Sequence, residues 1–160
     1  MSQQSFYFVS KSGNGAVWIG PRPSFEKLHS WANALKNTGI THVVSLIENT
    51  EVEHHGLETE GEVLKKLSIG FTRFPVNDFN TPDAAKFLQL IDDLSKRLSQ
   101  GENLFLHCAG GVGRAGTTAS CLLVKQGMSS DAAMELVSKQ RGEKSPETDG
   151  QANFVRAFQP

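Results

Sequence analysis

The chain has 160 residues, 38% of them hydrophobic and 21% charged, which suits one domain with its own core and argues against disorder. Lys and Arg number 16 against 17 Asp and Glu, a formal charge of -1. That balance removes the electrostatic case for a nucleic-acid or membrane-surface partner.

Phe6 to Val9 and Ala16 to Ile19 are short apolar runs bracketed by Gly13, Asn14, Gly15 and Gly20, and they read as two strands joined by a turn. Pro21 and Pro23 interrupt the chain until Ser24, an expected N-cap. Leu28, Trp31, Ala32 and Leu35 follow at helical spacing, and Gly39 stands where a helix stop belongs. Thr41 to Ile47 is a β-branched run without polar alternation, expected to be a buried strand. Glu48 to Glu60 is acidic and reads as an exposed loop, with Val63, Leu64 and Leu67 on a short helix after it. Within that loop His54 and His55 lack the i, i+4 spacing of a compact metal site, and a solvated acidic stretch is the better reading. Phe71 to Val76 is a further strand, Thr81-Pro82-Asp83 a helix start, and Phe87 to Leu98 the helix. Asn103 to Leu106 is a compact strand. A helix follows Arg114, another begins near Ser130, and a last one is capped by Thr148 or Asp149. Strands alternating with helices predict a single α/β domain over residues 1–160. Its central sheet, mostly parallel or mixed and of about five strands, has helices on both faces.

No apolar run approaches about 18 residues, so no membrane-spanning helix is expected. The start, MSQQSFYFVS, lacks a basic region followed by an apolar stretch, so no leader is expected either. Cys108 and Cys121 are the only cysteines, too few for a disulfide framework, which points to a reducing cytoplasmic setting.

Chemistry concentrates in Asn103 to Thr118, NLFLHCAGGVGRAGTT. A strand runs into His107-Cys108; Ala109, Gly110, Gly111, Val112 and Gly113 follow, then Arg114 and a helix. Three glycines in five positions let successive backbone N–H groups turn around an anion, and the helix start adds its positive dipole end. Arg114 suits the rim of such a cup because its planar fork grips two phosphate oxygens. A thiol with an unperturbed pKa near 8.5 is about 3% ionised at neutral pH, and at a helix N-terminus that value falls to roughly 3.5–7.5. Cys108 at the base of the cup is therefore a candidate nucleophile toward a phosphate ester. Spacing alone is weak evidence; the preceding strand, the glycines and the following helix together make the loop a phosphate site rather than a glycine-rich turn.

HCAGGVGRAGT resembles the His-Cys-x5-Arg signature of cysteine-dependent protein tyrosine phosphatases. The length and element order are similar to the small dual-specificity branch, including compact bacterial and archaeal members and cyclin-dependent-kinase-inhibitor phosphatases. The resemblance runs from Trp18-Ile19-Gly20 to about Phe158. It implies a hydrolase that forms a phosphocysteine intermediate, needs no metal or cofactor, and acts on phosphotyrosine, with phosphoserine and phosphothreonine as further substrates, in a phosphorylated protein. It also implies a loop aspartate as general acid. Asp78, between the Phe71–Val76 strand and the next helix, is that candidate, preferred over Asp83, which the helix start explains. Gln151 matches the place of a water-positioning polar residue, and His107 that of a residue that orders the loop and tunes the thiol. Ala115 departs from the usual Ser or Thr after the arginine, whose hydroxyl would donate to the cysteine sulfur, so turnover is expected to be modest unless Thr117 or Thr118 compensates. Rival readings are a phosphopeptide-binding module of low activity, and a phosphatase of phosphoinositides or RNA 5′-phosphates. The lack of lysine in residues 109–113 and the neutral net charge speak against the last two. Cys121 lies on an apolar helix and is read as core packing, which argues against arsenate reduction through a second thiol. A monomer is expected.

Overall fold

A two-residue turn at Gly13 and Asn14 joins β1 (Tyr7–Ser12) to β2 (Gly15–Pro21), with Gly13 at φ +62 where a side chain would be strained. The computed structural model containing this hairpin describes residues 5–160; residues 1–4, part of the start read for a leader, lie outside it. A 3₁₀ turn, Phe25–Lys27, leads into α1 (Leu28–Thr38), which Gly39 ends in the left-handed conformation. Ser24 stands before that turn but its side chain makes no capping bond. Then come β3 (His42–Ser45), α2 (Asn49–His54), α3 (Glu60–Lys66), β4 (Gly70–Arg73), α4 (Ala84–Ser99), β5 (Asn103–Cys108), α5 (Arg114–Lys125), α6 (Ser130–Arg141) and α7 (Asp149–Ala157).

The Glu48–Glu60 stretch is the main departure from the reading of the sequence. It holds α2 and the start of α3 rather than a loop, and Glu60 is buried. None of the α2 residues is buried, so apolar periodicity was silent there. Side chains cap two of the later helices: Ser129 accepts the Ala132 N–H at the start of α6, and Asp83 caps α4 by accepting from Lys86 N at 3.0 Å.

The sheet has the order β1-β2-β5-β3-β4, antiparallel only between β1 and β2. β5 lies at its centre, paired from Ala16↔Asn103 to Pro21↔Cys108 on one side and from His42↔Leu104 to Ser45↔His107 on the other. Side-chain alternation along β5 divides the core. Leu104, Leu106 and Cys108 join Phe87, Ile91, Leu94 and Leu98 of α4 and Ala115, Ala119 and Leu122 of α5. Phe105 points the other way, with Leu28, Trp31 and Leu35 of α1 and Leu64 of α3. Each large side chain buried this way contributes about 1.5–3 kcal/mol, so the two faces hold β5 rigidly and fix where it ends.

Candidate active site

β5 ends at Cys108, flanked by the parallel strands β2 and β3, and α5 starts six residues later at Arg114. In sheets of this kind the crevice beyond the carboxyl ends of the strands receives ligands. The connecting loop is held by its carbonyls. Arg22 N donates to Ala109 O (3.4 Å), Arg141 Nη2 to Gly110 O (3.0 Å) and Arg141 Nε to Gly111 O (3.1 Å). Ser145 Oγ donates to Val112 O (2.6 Å), and Thr117 Oγ1 to Gly113 O (2.8 Å). A peptide unit is planar with its C=O and N–H opposed, so pulling successive carbonyls to the outside turns the amides to the inside. Gly111 sits at φ +74, and a Cβ there would lie on the Gly20 backbone of β2, so no other residue fits. The outcome is a cup of amides over Cys108, which is 2% exposed.

Arg114 leaves the rim with its side chain 1% exposed. Nη1 donates to Glu51 Oε2 (2.7 Å) and Val76 O (2.9 Å), and Nη2 to Glu51 Oε1 (2.9 Å). Nε is buried without a partner among the described residues. Burial pulls the guanidinium toward neutrality, but the Glu51 hydrogen bonds and the charges of Cys108, Glu51 and Asp78 outweigh it and hold its pKa above the ordinary value. The partner responds in kind. Burial would raise the Glu51 carboxyl, yet Arg114 and the Glu48 N–H hold it below the usual carboxylate value.

Asp78 comes to this place on the segment after β4. Phe74 N and Val76 N continue the ladder onto Ser45 O and Leu46 O (both 2.9 Å), and Val76 O then receives Arg114. Asp78 Oδ1 lies 3.2 Å from Arg114 Nη2 and accepts from Phe79 N (3.0 Å), with the side chain 43% exposed. Phe79 has φ +63, an outlier for a bulky side chain, and is 57% exposed. Cys108, the loop after it, the Arg114 guanidinium and the Asp78 carboxylate thus converge, while Asp83 is occupied in capping α4.

The family model described as PTP-SAK, Swiss Army Knife protein, DSP-PTPase phosphatase domain, matches residues 23–160. The chain belongs to this family of phosphatase domains. Cyclin-dependent kinase inhibitor 3 of Rattus norvegicus is 25% identical over 126 residues, 78% of this chain and 59% of the relative. Putative tyrosine phosphatase 067L of Invertebrate iridescent virus 3 is 29% identical over 130 residues, 77% and 46% of the two chains. The chain thus spans about half the length of these relatives. Kinase associated phosphatase, solved with its catalytic-site cysteine replaced by serine, superimposes with a TM-score of 0.89 at 20% identity over 99% of this chain and 95% of that one. Tk-PTP in the active form follows with a TM-score of 0.75 at 24% identity, covering 95% of each chain. At such identities the likeness is one of fold.

In the phosphatase domain Gln151 is fully buried beside the cup. Its Oε1 accepts from Glu147 N (3.0 Å) and Thr148 N (3.1 Å), and its Nε2 reaches Asn80 O (3.4 Å) on the Asp78 segment. His107 faces away from Cys108 by strand alternation, and its Nε2 bonds Glu60 Oε2 at 2.6 Å with both side chains buried. Thr117 and Thr118 donate to the carbonyls of Gly113 and Arg114 (2.8 and 2.9 Å), so neither hydroxyl is turned to the sulfur in place of one at Ala115. Arg73 donates to Ile47 O (2.7 Å) and to Asn49 Oδ1, bracing the start of α2. Cys121 is buried and its thiol pKa is pushed up to about 12 by that burial. No group of metal-ligating side chains is found among the described residues, His54 and His55 included.

Sequence reasoning missed Glu51, Glu60, Arg141 and Ser145. One local signal existed for Glu51: it reaches back to Glu48 N at 2.7 Å, the Glu-x-x-Glu form of a helix start. For the other three the partner is distant in sequence, and no spacing encodes it.

Proposed function

We propose that this domain hydrolyses phosphotyrosine in proteins, with phosphoserine and phosphothreonine as further substrates, through a phosphocysteine intermediate. The observation that carries the proposal is the 3.2 Å approach of Asp78 to Arg114 at the mouth of the cup above Cys108, which supports reading the three as acid, cation and nucleophile toward one small anion. The Cys108 sulfur attacks phosphorus as the bond to the ester oxygen breaks, and Asp78 passes its proton to that oxygen. The loop amides and Arg114 hold the equatorial oxygens, so no metal is called for. In the second step the Asp78 carboxylate takes a proton from the attacking water, the phosphorus–sulfur bond breaks, and phosphate and the thiolate are released. Gln151 is proposed to place that water, and His107 to steady the strand end beneath it. The exposed ring of Phe79 next to the acid supports an aryl ester as the preferred leaving group. With Ala115 after the arginine and the two threonine hydroxyls engaged elsewhere, the second step is proposed to be slow. Two free cysteines, one in the cup, fit a reducing cytoplasmic compartment.

Turnover of p-nitrophenyl phosphate by the wild type, Cys108→Ser and Asp78→Ala tests the mechanism. Cys108→Ser should be inactive, Asp78→Ala slowed by roughly 10²–10⁴-fold, and vanadate should inhibit the wild type. Vanadate-insensitive activity surviving in Cys108→Ser overturns the mechanism, and an unchanged rate in Asp78→Ala removes only the acid assignment. Phosphotyrosyl against phosphoseryl peptides then reads the substrate preference.

A further inference from the structure

Gln151 is fully buried and both ends of its amide are engaged, Oε1 with Glu147 N (3.0 Å) and Thr148 N (3.1 Å), Nε2 with Asn80 O (3.4 Å). Through these bonds it ties the Asp78 segment to the start of α7 and fixes the backbone from which the Glu147 side chain leaves. That side chain lies against the cup. A Cβ on Gly113, the last residue before Arg114, would stand 2.8 Å from Glu147 Oε1 and 3.0 Å from Gln151 Nε2, so a glycine there leaves the carboxylate its room. No cation neutralises it. Lys144 pairs with Asp149 (3.7 Å) and Arg141 with Glu143 (3.5 Å), and Glu147 forms no ion pair among the described residues. An ionised carboxylate only accepts hydrogen bonds. Beside a cup built to hold phosphoryl oxygens, its complement is a donor rather than a second anion. The reaction proposed above brings one donor there, in its second step: the water that attacks phosphorus.

We propose that Glu147 is a further catalytic residue, accepting one O–H of the water that attacks the phosphocysteine while Asp78 takes the proton of the other; this rests on the phosphocysteine reading above. The oxygen–phosphorus bond forms and the phosphorus–sulfur bond breaks, its electron pair going to Cys108. One proton passes to Asp78, and the other stays on the product phosphate, hydrogen-bonded to Glu147. Gln151, its own amide occupied, places the water through Glu147.

Rapid mixing with p-nitrophenyl phosphate separates the two steps. Nitrophenolate released in the first turnover reports attack by Cys108, and the steady rate reports hydrolysis of the intermediate. In Glu147→Ala the steady rate should fall roughly tenfold, the scale of one hydrogen bond to a charged group. The first-turnover rate should hold, and intact mass after acid quench should show more phosphocysteine than in the wild type. Glu147→Gln keeps an acceptor oxygen and should recover part of the loss. Damage to the cup or the fold slows both steps together, so the ratio of the two rates within each variant is the quantity read. A ratio unchanged in Glu147→Ala, or a loss shared equally by the two steps, overturns the role of Glu147, and the phosphocysteine reading stands if the quenched wild type carries the phosphoryl group. Turnover that survives in Cys108→Ser overturns the phosphocysteine reading, and the role of Glu147 with it.

Discussion

Arg114 is the residue on which most of the site depends, and Glu51 is the residue on which Arg114 depends. A guanidinium 1% exposed is costly to bury without partners, and Glu51 gives it two parallel hydrogen bonds. Glu51→Ala is expected to cost about 1.5–3 kcal/mol of stability, read by urea denaturation, and to lower kcat/KM for p-nitrophenyl phosphate. The pair also has a pH signature. Glu51 is held below its unfolded value, so its contribution is complete above about pH 4.5 and is lost as pH falls through the folded value. Glu51→Gln should therefore flatten the acid side of the stability–pH curve while the neutral side keeps its slope. Ala115 acts at the same scale with the opposite sign. In the proposed mechanism a hydroxyl there gives a donor to the leaving sulfur, so Ala115→Ser should raise kcat about tenfold and shorten the life of the proposed phosphocysteine, followed by burst kinetics.

Elements matter because the cup is pinned from outside itself. Arg141, the last residue of α6, and Ser145 beyond it hold three of the loop carbonyls, and the Arg141 guanidinium lies 4.1 Å over the Tyr7 ring of β1. On the opposite face of the sheet, α3 is tied to β5 by the buried Glu60–His107 bond. Removing one member of a buried pair strands the other, whereas replacing both with apolar side chains of similar size is close to neutral. Glu60→Ala should thus cost about 3–5 kcal/mol in denaturant unfolding, and a Glu60→Leu/His107→Leu double variant should recover most of it. If His107 also steadies Cys108, the double variant regains stability without regaining turnover.

At the scale of the molecule, a central strand buried on both sides carries one cysteine to the sheet edge and a packed helix keeps the other inside. Cys121 sits within the core shared by α5 and the sheet, with its thiol pKa pushed up to about 12. It is un-ionised across the working range and unreactive while the fold holds. Iodoacetate at neutral pH should label native protein once, at Cys108, and label Cys121 only after unfolding. Intact-mass measurement before and after denaturant separates the two. The same layering brings the connections after β2, β3, β4 and β5 to one edge of the sheet, where the cup, Arg22, Glu51 and Asp78 all lie.

Local chemistry by itself determined the alternation of strands and helices, the five-stranded α/β class and the Cys108–Arg114 loop, because each is written in contiguous residues: β-branched runs, 3.6-residue spacing and clustered glycines. Asp78 was legible as a loop carboxylate between a strand and a helix, but its 3.2 Å approach to Arg114 was not. The tertiary structure alone decided the Glu48–Glu60 stretch. Its helices bury little apolar surface along α2, and Glu51 and Glu60 acquire their roles from Arg114 and His107, 63 and 47 residues away. A buried charge is intelligible only beside its partner, and that pairing is made by packing rather than by sequence neighbours.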